Sequence, residues 1–228
     1  MRRREGEETV TMPVGRVTLN GNLSVPAGAQ GLVLFAHGSG SSRLSQRNRF
    51  VAEALRRKGL GTLLFDLLTA DEELEDEIDA HLRFDIPLLA ARLVAVTTWA
   101  NAQEPASRIS IGYFGASTGA AAALIAAAEL PDTIGAVVSR GGRPDLAGES
   151  LAEVRSPTLL IVGGDDVAVL EMNREALRSI RAPKELAIVP GATHLFEEPG
   201  ALEEVARLAA DWFTRHLGRQ DTAGIAAP

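Results

Sequence analysis

Residues 108–130 read RISIGYFGASTGAAAALIAAAEL, an apolar run that passes through a Gly-Ala-Ser-Thr-Gly turn into an alanine-rich segment. The run that ends at Phe114 predicts a buried strand, and the segment that follows the turn predicts a helix. A serine at such a sharp turn is held in a strained conformation that exposes its hydroxyl group. Glycine is needed at positions 115 and 119 because strand and helix nearly touch there. We therefore predict that Ser117 is a nucleophile.

Short apolar runs alternate with helical segments along the rest of the chain. Runs that are apolar at every position are typical of strands buried on both faces, so they predict a mostly parallel, doubly wound α/β sheet of about eight strands. The predicted strands are Leu32–Ala36, Gly61–Phe65, Ile109–Phe114, Ile134–Ser139, Thr158–Val162 and Glu185–Val189. The predicted helices are Ser45–Lys58, Phe84–Ala102, Ser117–Leu130, Val167–Ile180 and Gly200–Leu217. Alternating residues in Glu8–Val14 and Arg16–Val25 predict an N-terminal antiparallel hairpin.

The length of 228 residues fits a single domain over residues 1–228, with residues 1–7 and 219–228 as frayed tails. The chain has no cysteine, which excludes disulfides, thiolate metal sites and a cysteine nucleophile. A net charge of -7 argues against a nucleic-acid partner, which would require a basic surface. We find neither a secretory signal nor roughly 20 consecutive apolar residues, and therefore expect a cytoplasmic protein with no membrane partner.

A serine hydroxyl needs a base that takes its proton and an acid that orients the base. His194 lies in the loop after the last predicted strand, and Asp165 and Asp166 follow the strand before it. Loops after parallel strands meet at one edge of a sheet, so we expect these side chains near Ser117. These residues alone leave open which aspartate contacts His194, since a strand-end aspartate can instead cap the next helix.

Ester cleavage also needs donors for the oxyanion that forms at the carbonyl. The backbone N–H of Thr118 is one candidate, because it lies at the positive end of the predicted helix. The glycine-rich loop at residues 38–42 supplies a second candidate, the N–H of Ser39. His37 ends the strand before that loop, and we expect it to brace the loop rather than react.

These motifs resemble those of the α/β-hydrolase superfamily and, within it, the dienelactone hydrolase family. The resemblance covers roughly Thr9–Leu217 and rests on His37-Gly38, Gly115–Gly119, Gly163-Gly164-Asp165-Asp166 and Gly191–His194, in that order. It implies an α/β-hydrolase fold, a Ser or Cys nucleophile with Asp and His, no metal and no organic cofactor. The G-G-x-D spacing of the family selects Asp166 as the acid. Dienelactone hydrolases themselves carry cysteine at the turn, so Ser117 favours the broader description of an esterase-like hydrolase.

The interval Arg140–Pro157 is too short for the lid domain that many α/β-hydrolases insert there. We therefore expect no lid, and an open site that takes small esters. The loops predicted to rim the site contain three candidate substrate-binding residues, Arg43, Arg140 and Arg143. They either bind an anionic substrate through paired N–H donors, pair with the acidic segment Asp71–Asp79, or face water. The acidic segment predicts a short exposed helix in preference to a metal site.

We predict a serine hydrolase, of the esterase or lactonase type, that acts as a monomer or homodimer on a small-molecule ester. The same three catalytic residues serve thioesterases, small-peptide hydrolases and acyltransferases, which the sequence does not separate. A non-catalytic ligand-binding module is the alternative of another class, and the complete set of serine, aspartate and histidine argues against it. In other proteins the His-Gly-Ser-Gly-Ser-Ser loop is joined to phosphoribosyltransferase domains, but no part of this chain matches such a domain.

Overall fold

Eight strands form one sheet in a computed structural model that describes residues 6–104 and 109–218. They are β1 (Glu7–Val14), β2 (Val17–Ser24), β3 (Gly31–Ala36), β4 (Gly61–Phe65), β5 (Ser110–Ala116), β6 (Ile134–Arg140), β7 (Thr158–Gly163) and β8 (Lys184–Val189). Their order in the sheet is β1-β2-β4-β3-β5-β6-β7-β8. The pairs β1–β2 and β2–β4 are antiparallel, and the other pairs are parallel. This confirms the predicted mostly parallel sheet and its N-terminal hairpin.

Within the same residues there are six α-helices, of which five lie between strands and the last follows β8. They are α1 (Gln46–Arg57), α2 (Ala70–Asp79), α3 (Ile86–Asn101), α4 (Thr118–Glu129), α5 (Val167–Ser179) and α6 (Ala201–Leu217). Helices α1 and α6 pack together on one face of the sheet, and α3 and α4 pack together on the other. The doubly wound arrangement places the carboxyl ends of the parallel strands at one edge, where such sheets bind ligands.

The central strands are buried on both faces, as their continuous apolar runs predict. All six residues of β3 are buried, and neighbouring side chains along it enter opposite cores. Leu34 joins the cluster under α3 and α4, whereas Phe35 joins the cluster under α1 and α6 and packs against Phe114 with ring centroids 4.9 Å apart. Two-sided burial fixes the strand register, since a shift of one residue would exchange the two sets of side chains.

The predicted elements lie within two residues of the observed ones, with three differences. Glu7, predicted to belong to a frayed tail, pairs with Ser24 in the hairpin; residues 1–5 and 219–228, also predicted to be frayed, lie outside the described residues. A 3₁₀ turn forms at Leu82–Phe84. Further 3₁₀ turns, broken at Gly148, occupy Pro144–Glu153, so no lid domain follows β6.

The acidic segment forms helix α2, which is solvent-exposed on most of its surface. Leu74 is 63% exposed and Ile78 is 86% exposed, in agreement with the predicted exposed helix. Thr69 caps the helix by accepting a hydrogen bond from the N–H of Glu72, whose carboxylate accepts from the N–H of Thr69 in return. Among the described residues, no helix is long and apolar enough to cross a membrane.

Candidate active site

Ser117 links β5 to α4 in a strained turn. Its backbone has φ 51° and ψ -122°, a left-handed conformation that few residues other than glycine adopt. The flanking glycines are required by contact distances. A β-carbon at Gly115 would lie 2.4 Å from Ala120 Cα, and one at Gly119 would lie 2.3 Å from Ala36 O. The turn therefore depends on close contact between strand and helix, which holds the serine at the sheet edge.

The loop that follows β6, residues 140–143, is tied to this turn by backbone hydrogen bonds. The N–H of Ser117 donates to Arg140 O at 3.3 Å, and the N–H of Arg143 donates to Ser117 O at 3.1 Å. From α5, Asn173 supports the loop by donating to Gly142 O at 2.9 Å. The serine turn and the loop after the next strand thus form one hydrogen-bonded unit.

His194 lies against the same loop. Its carbonyl oxygen and its ring Cε1 are 3.1 and 3.6 Å from the position of a β-carbon at Gly141. The Nδ1 of His194 donates to Asp166 Oδ2 at 2.7 Å. Asp166 precedes α5 without capping it, while Asp165 is exposed. The structure therefore places Asp166, the aspartate selected from the family spacing, in contact with the histidine.

Two residues that the sequence analysis missed support this arrangement. Phe196, two residues after His194, is 1% exposed and has φ 55°, and its ring lies 5.9 Å from the Arg140 guanidinium carbon. Asn173 is fully buried between Leu170 and Ala176 on the inner face of α5. The sequence did contain a signal for Asn173, because it is a polar residue within the apolar stripe of the predicted helix. The backbone of Phe196 has no such signal.

The two predicted oxyanion donors lie next to each other. The N–H of Thr118 is in the first turn of α4, where helix N–H groups have no intrahelical acceptor. The N–H of Ser39 donates to Thr118 Oγ1 at 2.9 Å, so this donor is engaged in the structure as it stands. Gly38 brings the loop against the serine, since a β-carbon there would lie 3.0 Å from Ser117 Cβ.

His37 supports the glycine-rich loop through two contacts of its ring nitrogens. Its Nε2 accepts from the N–H of Leu67 at 3.0 Å, and its Nδ1 lies 3.0 Å from Gly38 O. Only a neutral ring with its proton on Nδ1 makes both contacts. Burial lowers the pKa of His37, and this effect exceeds the opposing influence of the Gly38 carbonyl and Asp66. The ring therefore joins β3, the loop and the chain after β4 as an uncharged support.

Two of the three candidate substrate-binding arginines already have carboxylate partners. Arg43 donates to Asp66 through its backbone N–H at 2.8 Å and through its guanidinium. Arg143 forms a two-pronged pair with Asp145 at 2.9 and 2.7 Å. The acidic segment pairs with other arginines, Asp76 with Arg83 and Glu72 with Arg92. Of the alternatives left open by the sequence, pairing of Arg43 and Arg143 with that segment is therefore not what the structure shows.

Arg140 differs from the other two because it is buried. Its side chain donates to Asn48 Oδ1 at 3.3 Å, and its Nε is buried without a hydrogen-bond partner among the described residues. Burial, with a smaller contribution from Arg47, lowers the pKa of Arg140 to about 10. The guanidinium lies under the histidine loop, against Phe196. In this buried position Arg140 is better placed to support the histidine loop than to contact a substrate at the surface.

One group of side chains in the described residues has the spacing of metal ligands. Asp76, Asp79 and His81 offer one ligand atom each within 4.8 Å of one another. The carboxylate of Asp76 is already occupied, since it accepts from the backbone N–H groups of Leu82 and Arg83 and from the Arg83 side chain. A metal ion would have to displace that arginine, so we assign no metal site to this group.

Known proteins resemble this chain in both sequence and fold. The sequence model of the dienelactone hydrolase family matches residues 26–218. The crystal structure of a dienelactone hydrolase from Anabaena variabilis is 59% identical, with a TM-score of 0.91 over 92% of this chain and 98% of that one. A serine hydrolase without a lid from Xanthomonas campestris is 20% identical, with a TM-score of 0.75 over 96% of this chain and 98% of that one, and shows the same fold.

A curated relative carries a different name. A protein of Mycobacterium tuberculosis named as a putative phosphoribosyl transferase is 57% identical over 211 residues, which is 92% of this chain. The match covers 47% of that protein. The chain therefore spans about half the length of this relative, and the name of the relative refers to the longer protein.

Proposed function

The chain belongs to the dienelactone hydrolase family, and on this basis we propose that it is a serine hydrolase that cleaves small carboxylic esters through an acyl-enzyme on Ser117. The observation that carries the proposal is the 2.7 Å hydrogen bond between His194 and Asp166, on the loop that lies against the Ser117 turn. A strained serine, a histidine and a partly buried aspartate at one sheet edge are the parts that acyl transfer requires.

In the first half of the reaction, Ser117 Oγ attacks the ester carbonyl and His194 takes the hydroxyl proton. The Asp166 carboxylate accepts the Nδ1–H of the histidine, which leaves Nε2 free as the base and stabilises the imidazolium that forms. His194 then gives the proton to the alcohol that leaves. In the second half, water attacks the acyl-enzyme with the same histidine as base, and the acid is released.

The oxyanion is held by backbone N–H groups at the start of α4 and in the glycine-rich loop. The N–H of Thr118 is directed by the helix N-terminus. The N–H of Ser39 moves from Thr118 Oγ1 to the substrate, because a charged oxygen accepts a stronger hydrogen bond than a neutral hydroxyl. The Thr118 hydroxyl thus satisfies this donor while no substrate is present.

The arginine contacts favour uncharged esters over anionic ones. A substrate carboxylate that used Arg43 or Arg143 would have to compete with Asp66 or Asp145, which already make two hydrogen bonds each. Arg140 has no carboxylate partner among the described residues, but it is buried. We therefore propose that Arg140 supports the histidine loop and does not bind the substrate.

The phosphoribosyl transferase name of the relative does not change this proposal. The name describes a protein of which this chain matches about half. The strained serine, the histidine and the aspartate of this chain are suited to acyl transfer. We therefore assign hydrolysis to this chain and leave the named activity with the longer protein.

A fluorophosphonate probe tests the proposal. Ser117 Oγ displaces fluoride from the phosphorus, so intact-mass measurement of the folded protein should show one adduct, located on the peptide that contains Ser117. The Ser117→Ala variant should show none, whereas Ser41→Ala, which removes a hydroxyl from the neighbouring loop, should be labelled like the wild type. Absence of labelling in the folded wild type, or labelling that persists in Ser117→Ala, would contradict the proposal and favour a non-catalytic module.

A further inference from the structure

A cavity of about 270 Å³ opens at the loop that follows β3, and this loop contacts the Ser117 turn through Gly38. One wall is the glycine-rich loop at residues 38–42, which includes the proposed oxyanion donor Ser39. Gly38, at the start of that wall, lies against the serine, since a β-carbon at this glycine would be 3.0 Å from Ser117 Cβ. A group attached near the scissile carbonyl would therefore extend into the cavity. The volume is slightly below the usual range of about 300–1,000 Å³ for small-molecule sites, so it fits a small substituent.

The cavity has an apolar floor and an acidic far wall. Leu67, Leu68 and Leu89 form the apolar part. The far wall comes from α2, where Glu73 and Glu77 are one helical turn apart and both line the cavity. Methyl and methylene groups would contact the leucines while the carboxylates stay within reach of a charge at the end of the substituent.

The acidic wall has arginines nearby, but its two glutamates are not paired with them. Arg83 also lines the cavity, but its side chain is paired with Asp76. Within the part of the chain that the structure describes, neither Glu73 nor Glu77 forms an ion pair. Burial and the nearby Asp66 carboxylate raise the pKa of Glu73, against a smaller opposing effect from Arg43. A positive charge in the cavity would therefore meet carboxylates that have no direct ion-pair partner among the described residues.

We propose that this cavity binds the substituent next to the ester bond and selects one that carries an ammonium group. This inference rests on the proposed function, because the cavity can hold part of the substrate only if Ser117 is the nucleophile. A carboxylate or phosphate on the substrate would instead meet two charges of its own sign. The inference thus goes one step beyond the arginine contacts, which only disfavour anionic esters, and assigns a preference for a cationic substituent.

Three fluorophosphonates that differ only in one substituent test the inference. The substituents are a trimethylammonioethyl group, its uncharged isostere 3,3-dimethylbutyl, and carboxyethyl. In each reaction Ser117 Oγ forms a bond to phosphorus, fluoride leaves and the serine proton passes to His194. We expect the second-order rate constant for the ammonium probe to exceed that of the isostere by about three- to tenfold, the range for partly screened charges, and the carboxylate probe to be slowest.

Matched variants locate the preference on α2. The double variant Glu73→Gln/Glu77→Gln should reduce the ratio of the ammonium-probe rate to the uncharged-probe rate to below about twofold. Glu75→Gln removes one carboxylate from the same helix outside the cavity, and it should retain the preference. Equal rates with the ammonium and uncharged probes in the wild type would overturn the inference. So would a preference that survives in the double variant, or one that is lost equally in Glu75→Gln.

The same experiment separates failure of the inference from failure of the proposed function. Labelling of Ser117 by the uncharged probe without a charge preference would overturn the inference alone. Absence of labelling by all three probes in the folded protein would overturn the proposed function. In that case, NMR titration of the wild type and the double variant with choline and with 3,3-dimethylbutanol shows whether the cavity prefers a cation. If the wild type, but not the double variant, binds choline more tightly than 3,3-dimethylbutanol, the preference is supported. If the wild type binds the two compounds equally well, the preference is overturned.

Discussion

The Ser117 turn and the His194 loop hold their key residues in different ways. The turn is held by backbone crowding, since a β-carbon at Gly119 would lie 2.3 Å from Ala36 O and 2.4 Å from His37 O. The histidine loop is crowded where it passes Gly163, since a β-carbon there would lie 2.2 Å from Ala192 O, but it has open space around Gly191 and Gly200. Its histidine side chain is 38% exposed and is oriented by Asp166, which is 28 residues away in the chain. The nucleophile is fixed by backbone crowding, and the base by a side-chain hydrogen bond.

This difference predicts which changes affect folding and which affect chemistry alone. Crowded backbone cannot relax around an added atom, so changes in the glycines of the turn should cost stability. An oriented side chain on a partly exposed loop can be altered with little effect on the core. The following predictions test that separation, in order of expected free-energy effect.

Ser117→Ala should have the largest effect and should act on the reaction only. We expect kcat/KM for 4-nitrophenyl acetate to fall by about 10⁴- to 10⁶-fold, because the nucleophile is removed. The free energy of unfolding in urea should stay within about 0.5 kcal/mol of wild type, since Ala adopts the same turn at similar strain. Activity above about one hundredth of wild type would contradict the assignment of the nucleophile.

Asp166→Asn and Asp165→Asn should separate the two neighbouring aspartates. Asparagine at 166 cannot stabilise the imidazolium, so kcat should fall by about 10⁴-fold. Asp165 is exposed and its replacement should change kcat by less than about threefold. Steady-state kinetics of both variants provide the measurement. Comparable losses of kcat in the two variants would show that the contact between Asp166 and His194 does not determine the rate.

Gly119→Ala and Gly191→Ala compare the two regions by stability. The first places a β-carbon against two carbonyl oxygens and should lower the free energy of unfolding by about 3 kcal/mol. The second also replaces a glycine, at φ 69°, but into open space, and should cost about 1 kcal/mol from backbone strain alone. Urea unfolding measures both values. A larger loss in the histidine loop would reverse the proposed difference.

His37, which supports the loop next to the serine turn, should make the free energy of unfolding depend on pH. The pKa of His37 is lowered in the folded state, so below the unfolded value near 6.5 the unfolded chain binds more protons. The contribution of His37 to stability should be constant above that pH and fall below it, by at most about 1.4 kcal/mol per pH unit. His37→Gln should reduce the slope between pH 6.5 and about 5. An unchanged slope would place the effect elsewhere, with His216 as the first candidate, since its pKa is also lowered.

The sequence predicts the fold well where local patterns determine structure. Continuous apolar runs identify the buried strands, and the two glycines of the turn identify the junction of β5 and α4. The capping and charge of α2 are also local, so its exposed helix could be predicted. The 3₁₀ turns at Pro144–Glu153 could not, because Gly148 with φ 52° interrupts them and gives no regular period.

The site is less predictable because its contacts join distant segments. Asp166 was selected through the family spacing, while the contact itself depends on how β7 and β8 pair. The partners of the rim arginines, Asp66 and Asp145, are set by loops whose packing no local pattern reveals. Phe196 supports the histidine loop through a buried cation on another strand. Residue types at strand ends can be predicted, but the ion pairs between them depend on tertiary structure.

Trapping of the acyl-enzyme tests the central claim most directly. The wild type is mixed with 4-nitrophenyl acetate, quenched with acid during turnover, digested and analysed by mass spectrometry. We predict one acetyl group on the peptide that contains Ser117, in an amount that increases when Asp166→Asn slows deacylation more than acylation. Continued release of 4-nitrophenol with no acetyl group on Ser117, or with acetyl on another residue, would contradict the account.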